Sequence, residues 1–252
     1  MTRALPWLIL LFGILQPLSG ALAPVFQIGT PIGASTAGTD APEQPLPAFF
    51  SIWGVIFLAY AGFGLAGFLR PFEGYARIGV PMLWAGMGNI VWMLSAQLID
   101  LQPLNFVLLA PIFAGAWIAA ARLDDLRGTV AGPVFQVADI ASGLLAGWIS
   151  VATAISVPLT IRTFTALGPT DFPWPMFWSA IAVAAAAAYV FASRISRSPW
   201  FFAALGWGLT GIVLNNWLRT GMHWIAFMAA VGTATILFLR VTRGAKRSKS
   251  RS

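Results

Sequence analysis

The chain has 252 residues, 58% of them hydrophobic and only 9% charged, whereas a soluble domain carries about a quarter charged residues. That excludes a water-soluble fold, which could not hide so much apolar surface. The formal charge of +7 does not point to nucleic acid, because much of it lies between Arg240 and Arg251 and the rest caps apolar segments. With no cysteine, disulfides, thiolate nucleophiles, thiolate metal sites and iron–sulfur clusters are excluded.

About 20 apolar residues cross a bilayer as a helix, and the first such stretch covers 5–26. Met1-Thr2-Arg3, an apolar core from Leu8 to Leu15 and Ala21-Leu22-Ala23 also fit a signal peptide; cleavage would leave seven spans in the same orientation. Residues 27–47 carry many Gly, Pro, Ser and Thr together with Asp40 and Glu43, and form an external loop and candidate lid. Further spans are expected at 48–69, 78–98, 104–121, 135–161, 174–193, 199–217 and 222–240. They are continuous apolar runs rather than ten-residue segments of alternating polarity, so they are helices and not barrel strands. The fold class is therefore all-α: a polytopic membrane helix bundle of about eight transmembrane helices. The basic segment 243–252 reads as a disordered cytoplasmic tail held near anionic headgroups.

The cations fix the orientation. With the C-terminus cytoplasmic, thirteen Lys and Arg residues fall inside and only Arg162 and Arg219 outside, the bias of positive-inside insertion. Removing one internal helix from the count destroys the agreement.

Charges within spans are costly and mark function. Asp40, Glu43, Glu73, Asp124 and Asp125 read as loop residues, and Asp100 and Asp171 as outer helix ends; only Asp139 enters a span, one turn inside the fifth helix. It is either a carboxylate stabilised by the helix dipole and paired with Arg127, or a proton or ligand site. The single histidine, His223, follows Arg219 at i+4 and reads as an interfacial side chain rather than a metal or haem ligand. No nucleophile elbow, phosphate loop or pair of facing carboxylates is present. No catalytic residue, metal site or cofactor is implied.

Tryptophan is abundant, with twelve in the chain. Trp7, Trp174, Trp200, Trp217 and Trp224 lie near span ends and form an interfacial belt. Trp53, Trp84, Trp92, Trp117 and Trp148 lie deeper, where they either face lipid or wall a flat aromatic pocket. Asn89 precedes Trp92 by three residues, so both share one helix face. At that depth its amide serves as interhelical glue or as a ligand contact. The run Val183, Tyr189, Arg194 fits a proposed cholesterol motif that is too loose to carry weight.

Three blocks together resemble the TspO/MBR family, the tryptophan-rich sensory proteins related to the translocator protein or peripheral benzodiazepine receptor. They are Pro45-Leu46-Pro47-Ala48-Phe49-Phe50-Ser51-Ile52-Trp53, Asn89-Ile90-Val91-Trp92, and Leu144 to Ala154 with Trp148 among leucines and small residues. Their order matches the family's second, third and fifth helices. The resemblance implies a five-helix unit over 1–163, with a retained first helix and the loop 27–47, followed by a three-helix extension over 164–242 like that of longer bacterial relatives. It also implies binding of porphyrins or other flat hydrophobic ligands by Trp53, Asn89, Trp92 and Trp148, beneath the first loop. The chain departs from the family in having Phe57 for a tyrosine, Ser156 for an asparagine, and no Pro-Tyr pair before Trp148.

The reading is thus a non-enzymatic, multi-pass inner-membrane protein with a cytoplasmic C-terminus, sensory or ligand-binding in function. Its partners are the lipid bilayer and a hydrophobic small molecule of tetrapyrrole type, with no nucleic acid; homodimerisation is a family expectation. The main alternative is a small-molecule transporter or permease. A porphyrin-degrading enzyme and a purely structural subunit stand behind it.

Overall fold

Proline and glycine punctuate the chain where helices begin and end. A computed structural model describes residues 4–32, 40–70, 72, 74–129 and 132–249. Helix α1 spans Ala4–Gly20. A 3₁₀ turn, Pro47–Ser51, leads into α2 at Ile52–Leu69. Then follow α3 Tyr75–Leu98, α4 Gln102–Asp125, α5 Pro133–Thr165, α6 Pro173–Val190, α7 Pro199–Leu218 and α8 His223–Lys249. Prolines open α5, α6 and α7, where the missing N–H has no intrahelical partner to lose. Gly74 and Gly132 precede α3 and α5 with φ of 88° in both, a backbone conformation open to glycine at little cost.

All described regular structure is helical, and seven helices are long and apolar enough to cross a membrane. The eighth, α1, has 17 residues; the run expected over 5–26 leaves the helix at Gly20 and continues as turns to Phe26. Helix α1 nevertheless packs as an integral member of the bundle. Ile9 is fully buried, and a Cβ on Gly64 would lie 2.7 Å from the Leu10 nitrogen. Its Gln16 Oε1 accepts a hydrogen bond from Asn89 Nδ2 at 2.8 Å.

Helix α5 is the axis of the molecule, packed on α2, α4, α6 and α7. Glycines let α7 approach it: a Cβ on Gly143 would stand 2.8 Å from Trp200 Cβ, and one on Gly208 2.7 Å from a Val151 methyl. One continuous hydrophobic cluster runs from Leu5 in α1 to Ile236 in α8.

The arginine-rich end is closed by a polar network. Asp124, expected in a loop, lies in the last turn of α4 and is 1% exposed, because the helix runs on past Arg122 and turns that carboxylate inward. Its Oδ1 accepts from Arg127 Nε at 3.2 Å, Arg197 N at 3.1 Å and Arg197 Nε at 3.4 Å. Arg127 Nη2 also stands 3.8 Å from Asp139 Oδ1, the pairing that the dipole reading of Asp139 anticipated. Arg240 of α8 donates to the Arg197 carbonyl at 2.9 Å. Four helix ends are thereby tied together. Of the basic tail expected over 243–252, the side chains and residues 250–252 lie outside the described residues.

Candidate functional site

Near the opposite end, three helices bring tryptophans to one point. Trp53 stands in the first turn of α2, Trp92 one turn beyond Asn89 on α3, and Trp148 at the middle of α5. The Trp53 ring lies 5.9 Å from that of Trp92 at 33° and 6.2 Å from that of Trp148 at 85°, edge-on. Phe57 stacks on Trp53 at 5.5 Å, and Phe50 meets Trp148 edge-on at 5.6 Å. Such offset and edge-to-face pairs are favoured geometries for aromatic quadrupoles.

All three indoles are buried, and none of their Nε1–H groups has an acceptor among the described residues. A buried donor without a partner costs about 1–3 kcal/mol, and such groups are scarce in native interiors. Here three of them, Trp53, Trp92 and Trp148, belong to one contact cluster. The cluster is also closed: Trp148 is 1% exposed and its neighbours 7% and 8%.

The segment 40–51 reaches the cluster through Phe50, which meets Trp148. Its Leu46 N–H donates to the Gly211 carbonyl at 2.9 Å, and its Phe49 carbonyl accepts from Trp207 Nε1 at 2.8 Å. Asn215 and Asn216 Nδ2 donate to the carbonyls of Ala41 and Pro42 at 3.3 and 2.6 Å. Glu43 is fully buried against Arg162 of α5, with Nε to Oε1 at 2.8 Å and Nη2 to Oε2 at 3.4 Å. Arg162 Nη1 also donates to the carbonyls of Gly168 and Asp171, which anchors the α5–α6 loop. At the rim, Arg219 meets Asp40 at 3.2 Å. The segment that leads directly into Trp53 is therefore fastened to α5 and α7.

The model of the family described as TSPO-like protein matches residues 7–242. The chain belongs to the TSPO-like protein family. No curated protein and no solved structure matches it. Membership of the TSPO-like family makes it a membrane protein of sensory or ligand-binding type, and the match runs through α6, α7 and α8 as well as the first five helices.

Of the four residues expected at the TSPO-like site, the structure brings Trp53, Trp92 and Trp148 together. Asn89 is engaged elsewhere: its Nδ2 is bound by Gln16 of α1, its Oδ1 has no donor, and no hydrogen bond joins it to the indoles among the described residues. This hydrogen bond joins α3 to α1. Among the other deep tryptophans, Trp84 faces outward with 58% exposure, and Trp117 donates to Ser150 Oγ at 3.3 Å. The His223 ring lies 4.8 Å from that of Trp217, tilted by 51°. Sequence reasoning missed the fastening residues Glu43, Arg162, Asn215 and Asn216, although two signals were present. Arg162 and Arg219 are the two cations outside the positive-inside pattern, and they pair with the two acids of the loop. Asn215 and Asn216 are adjacent amides within an apolar helix.

Proposed function

We propose that this TSPO-like protein captures flat hydrophobic molecules of porphyrin type at Trp53, Trp92 and Trp148, with segment 40–51 as the lid. The observation that carries the reading is the convergence of three buried, unpartnered indole N–H donors. A porphyrin offers a flat apolar face for stacking and carboxylate oxygens as acceptors, so one ligand answers both features of the cluster. Binding is reversible, and a signal would arise from the shift between lid-closed and lid-open populations. The charge bias supports an inner-membrane protein with a cytoplasmic C-terminus, in which 164–242 works as an extension of the five-helix unit 1–163. Family resemblance supports a homodimer.

The test is titration with protoporphyrin IX, following its Soret band against empty micelles. Wild type should give a saturable shift, and the folded triple variant Trp53→Phe, Trp92→Phe, Trp148→Phe a much weaker one. Identical titrations would overturn the reading.

One observation favours a permease as the second reading. Ion-paired networks close both ends of the bundle, Glu43–Arg162 at one and Asp124 with Arg127 and Arg197 at the other, as alternating gates would. Counterflow of labelled porphyrin in proteoliposomes separates the two: a pure binding protein gives none.

A further inference from the structure

A groove lies on the outer face of the bundle between α3 and α4, away from the tryptophan cluster. Its volume is about 380 Å³, and its walls include Val80, Pro81, Trp84, Pro111, Ala114 and Ile118, with Arg122 at one end. Gly115 forms the floor, where a Cβ would stand 2.5 Å from the Pro81 carbonyl oxygen. The groove thus exists because two helices touch backbone to backbone while two prolines and an alanine leave the space above them open.

Two features say what fits. Along α4 the lining runs from Pro111 to Arg122, eleven residue steps, or roughly 16 Å at the helical rise. That equals one leaflet of hydrocarbon, half of the roughly 30 Å core. The apolar channel also ends in cations: Arg122 is exposed, and its Nη1 donates to the carbonyl of Arg77, itself exposed. Both belong to the arginine-rich end, which the charge bias assigns to the cytoplasmic leaflet, where anionic lipids concentrate. A channel one acyl chain long with the Arg122 guanidinium at its mouth matches a phospholipid whose headgroup carries net negative charge.

The geometry points to a binding site for one anionic phospholipid, its acyl chain in the α3–α4 groove against Trp84 and its phosphate at Arg122. The lipid bridges α3 and α4 at the end where α4 carries Asp124 into the polar network.

The experiment reconstitutes the full chain in phosphatidylcholine vesicles containing a minor fraction of dibrominated lipid, either phosphatidylglycerol or phosphatidylcholine. The part of the tryptophan quenching that is lost in Trp84→Phe isolates the groove. One cation at an anionic surface gives about a fivefold preference, so brominated phosphatidylglycerol should act at about one fifth the mole fraction of its zwitterionic counterpart. The preference should fall to parity in Arg122→Gln, and Trp84 quenching by either lipid should drop in Ala114→Phe, which fills an exposed, lipid-facing position without touching the core. Equal action of the two lipids on wild type overturns the proposal, as does a preference that survives in Arg122→Gln. Protection of Trp84 from both lipids, together with a dimeric mass, would overturn it in favour of a second copy of the chain on this face.

Discussion

Replacing Glu43 by Gln keeps the shape of the lid and removes its charge. Arg162 is 3% exposed and Glu43 fully buried, so the pair is shielded from salt and water; the rim pair Arg219–Asp40, with side chains 36% and 62% exposed, contributes little by comparison. Removing one partner of a buried pair costs about 3–5 kcal/mol, because the other charge is left uncompensated. In Glu43→Gln that cost falls on the lid-closed state, since opening returns Arg162 to water. A loss of 3 kcal/mol multiplies the open population by about two powers of ten. The assay is hydrogen–deuterium exchange of the Leu46 amide, which in the closed state donates to Gly211 and exchanges through lid opening. The expected result is exchange at Leu46 and Phe49 faster by about a hundredfold, with α3 and α4 amides unchanged and porphyrin affinity raised because the competent state is more populated. Unchanged exchange at Leu46 would refute the lid argument; faster exchange throughout α3 and α4 would refute a local latch.

Three other perturbations probe the frame. Gly211→Ala places a Cβ 2.7 Å from Pro45 Cβ and 2.8 Å from Phe49 Cγ, an overpacking that costs about 1–3 kcal/mol; it should accelerate Leu46 exchange less than Glu43→Gln does. Asp124→Asn leaves Arg127 and Arg197 facing a neutral group at the other end, and should lower the thermal midpoint in detergent by the equivalent of about 3 kcal/mol or more, without faster exchange at Leu46. Because the chain has no cysteine, single cysteines report topology cleanly: an impermeant maleimide added to intact cells should label Gly168→Cys but not Thr129→Cys, and the reverse pattern would invert the orientation.

The bundle was legible because span length and charge bias are carried by many residues at once. Shifting a boundary by a few residues, as at α4, which starts two residues before and ends four residues after the expected 104–121, leaves the topology intact. The tryptophan site was legible in part, since Trp53, Trp92 and Trp148 occur in blocks whose spacing the family resemblance could anchor. Asn89 was ambiguous because an amide at that depth needs a partner, and nothing in the α3 sequence says whether Gln16 or a ligand provides it. The early end of α1 was hidden by apolar residues that continue into turns through Phe26. The fastening of the lid depends on residues 119 positions apart for Glu43–Arg162 and 174 apart for both Asn contacts; no local periodicity encodes such pairs. Only the misplaced outer cations and the adjacent amides Asn215 and Asn216 in an apolar helix hinted at them.

The most direct test of the tryptophan cluster as the ligand site is to illuminate the detergent-solubilised protein with substoichiometric protoporphyrin IX and map indole oxidation by mass spectrometry. Exposure alone would favour Trp224 and Trp84, which are 77% and 58% exposed, over Trp148 at 1%. The account predicts the opposite order, with oxidation concentrated at Trp53, Trp92 and Trp148 and suppressed by excess non-photosensitising porphyrin. Oxidation that follows exposure, with the buried three spared, would contradict it.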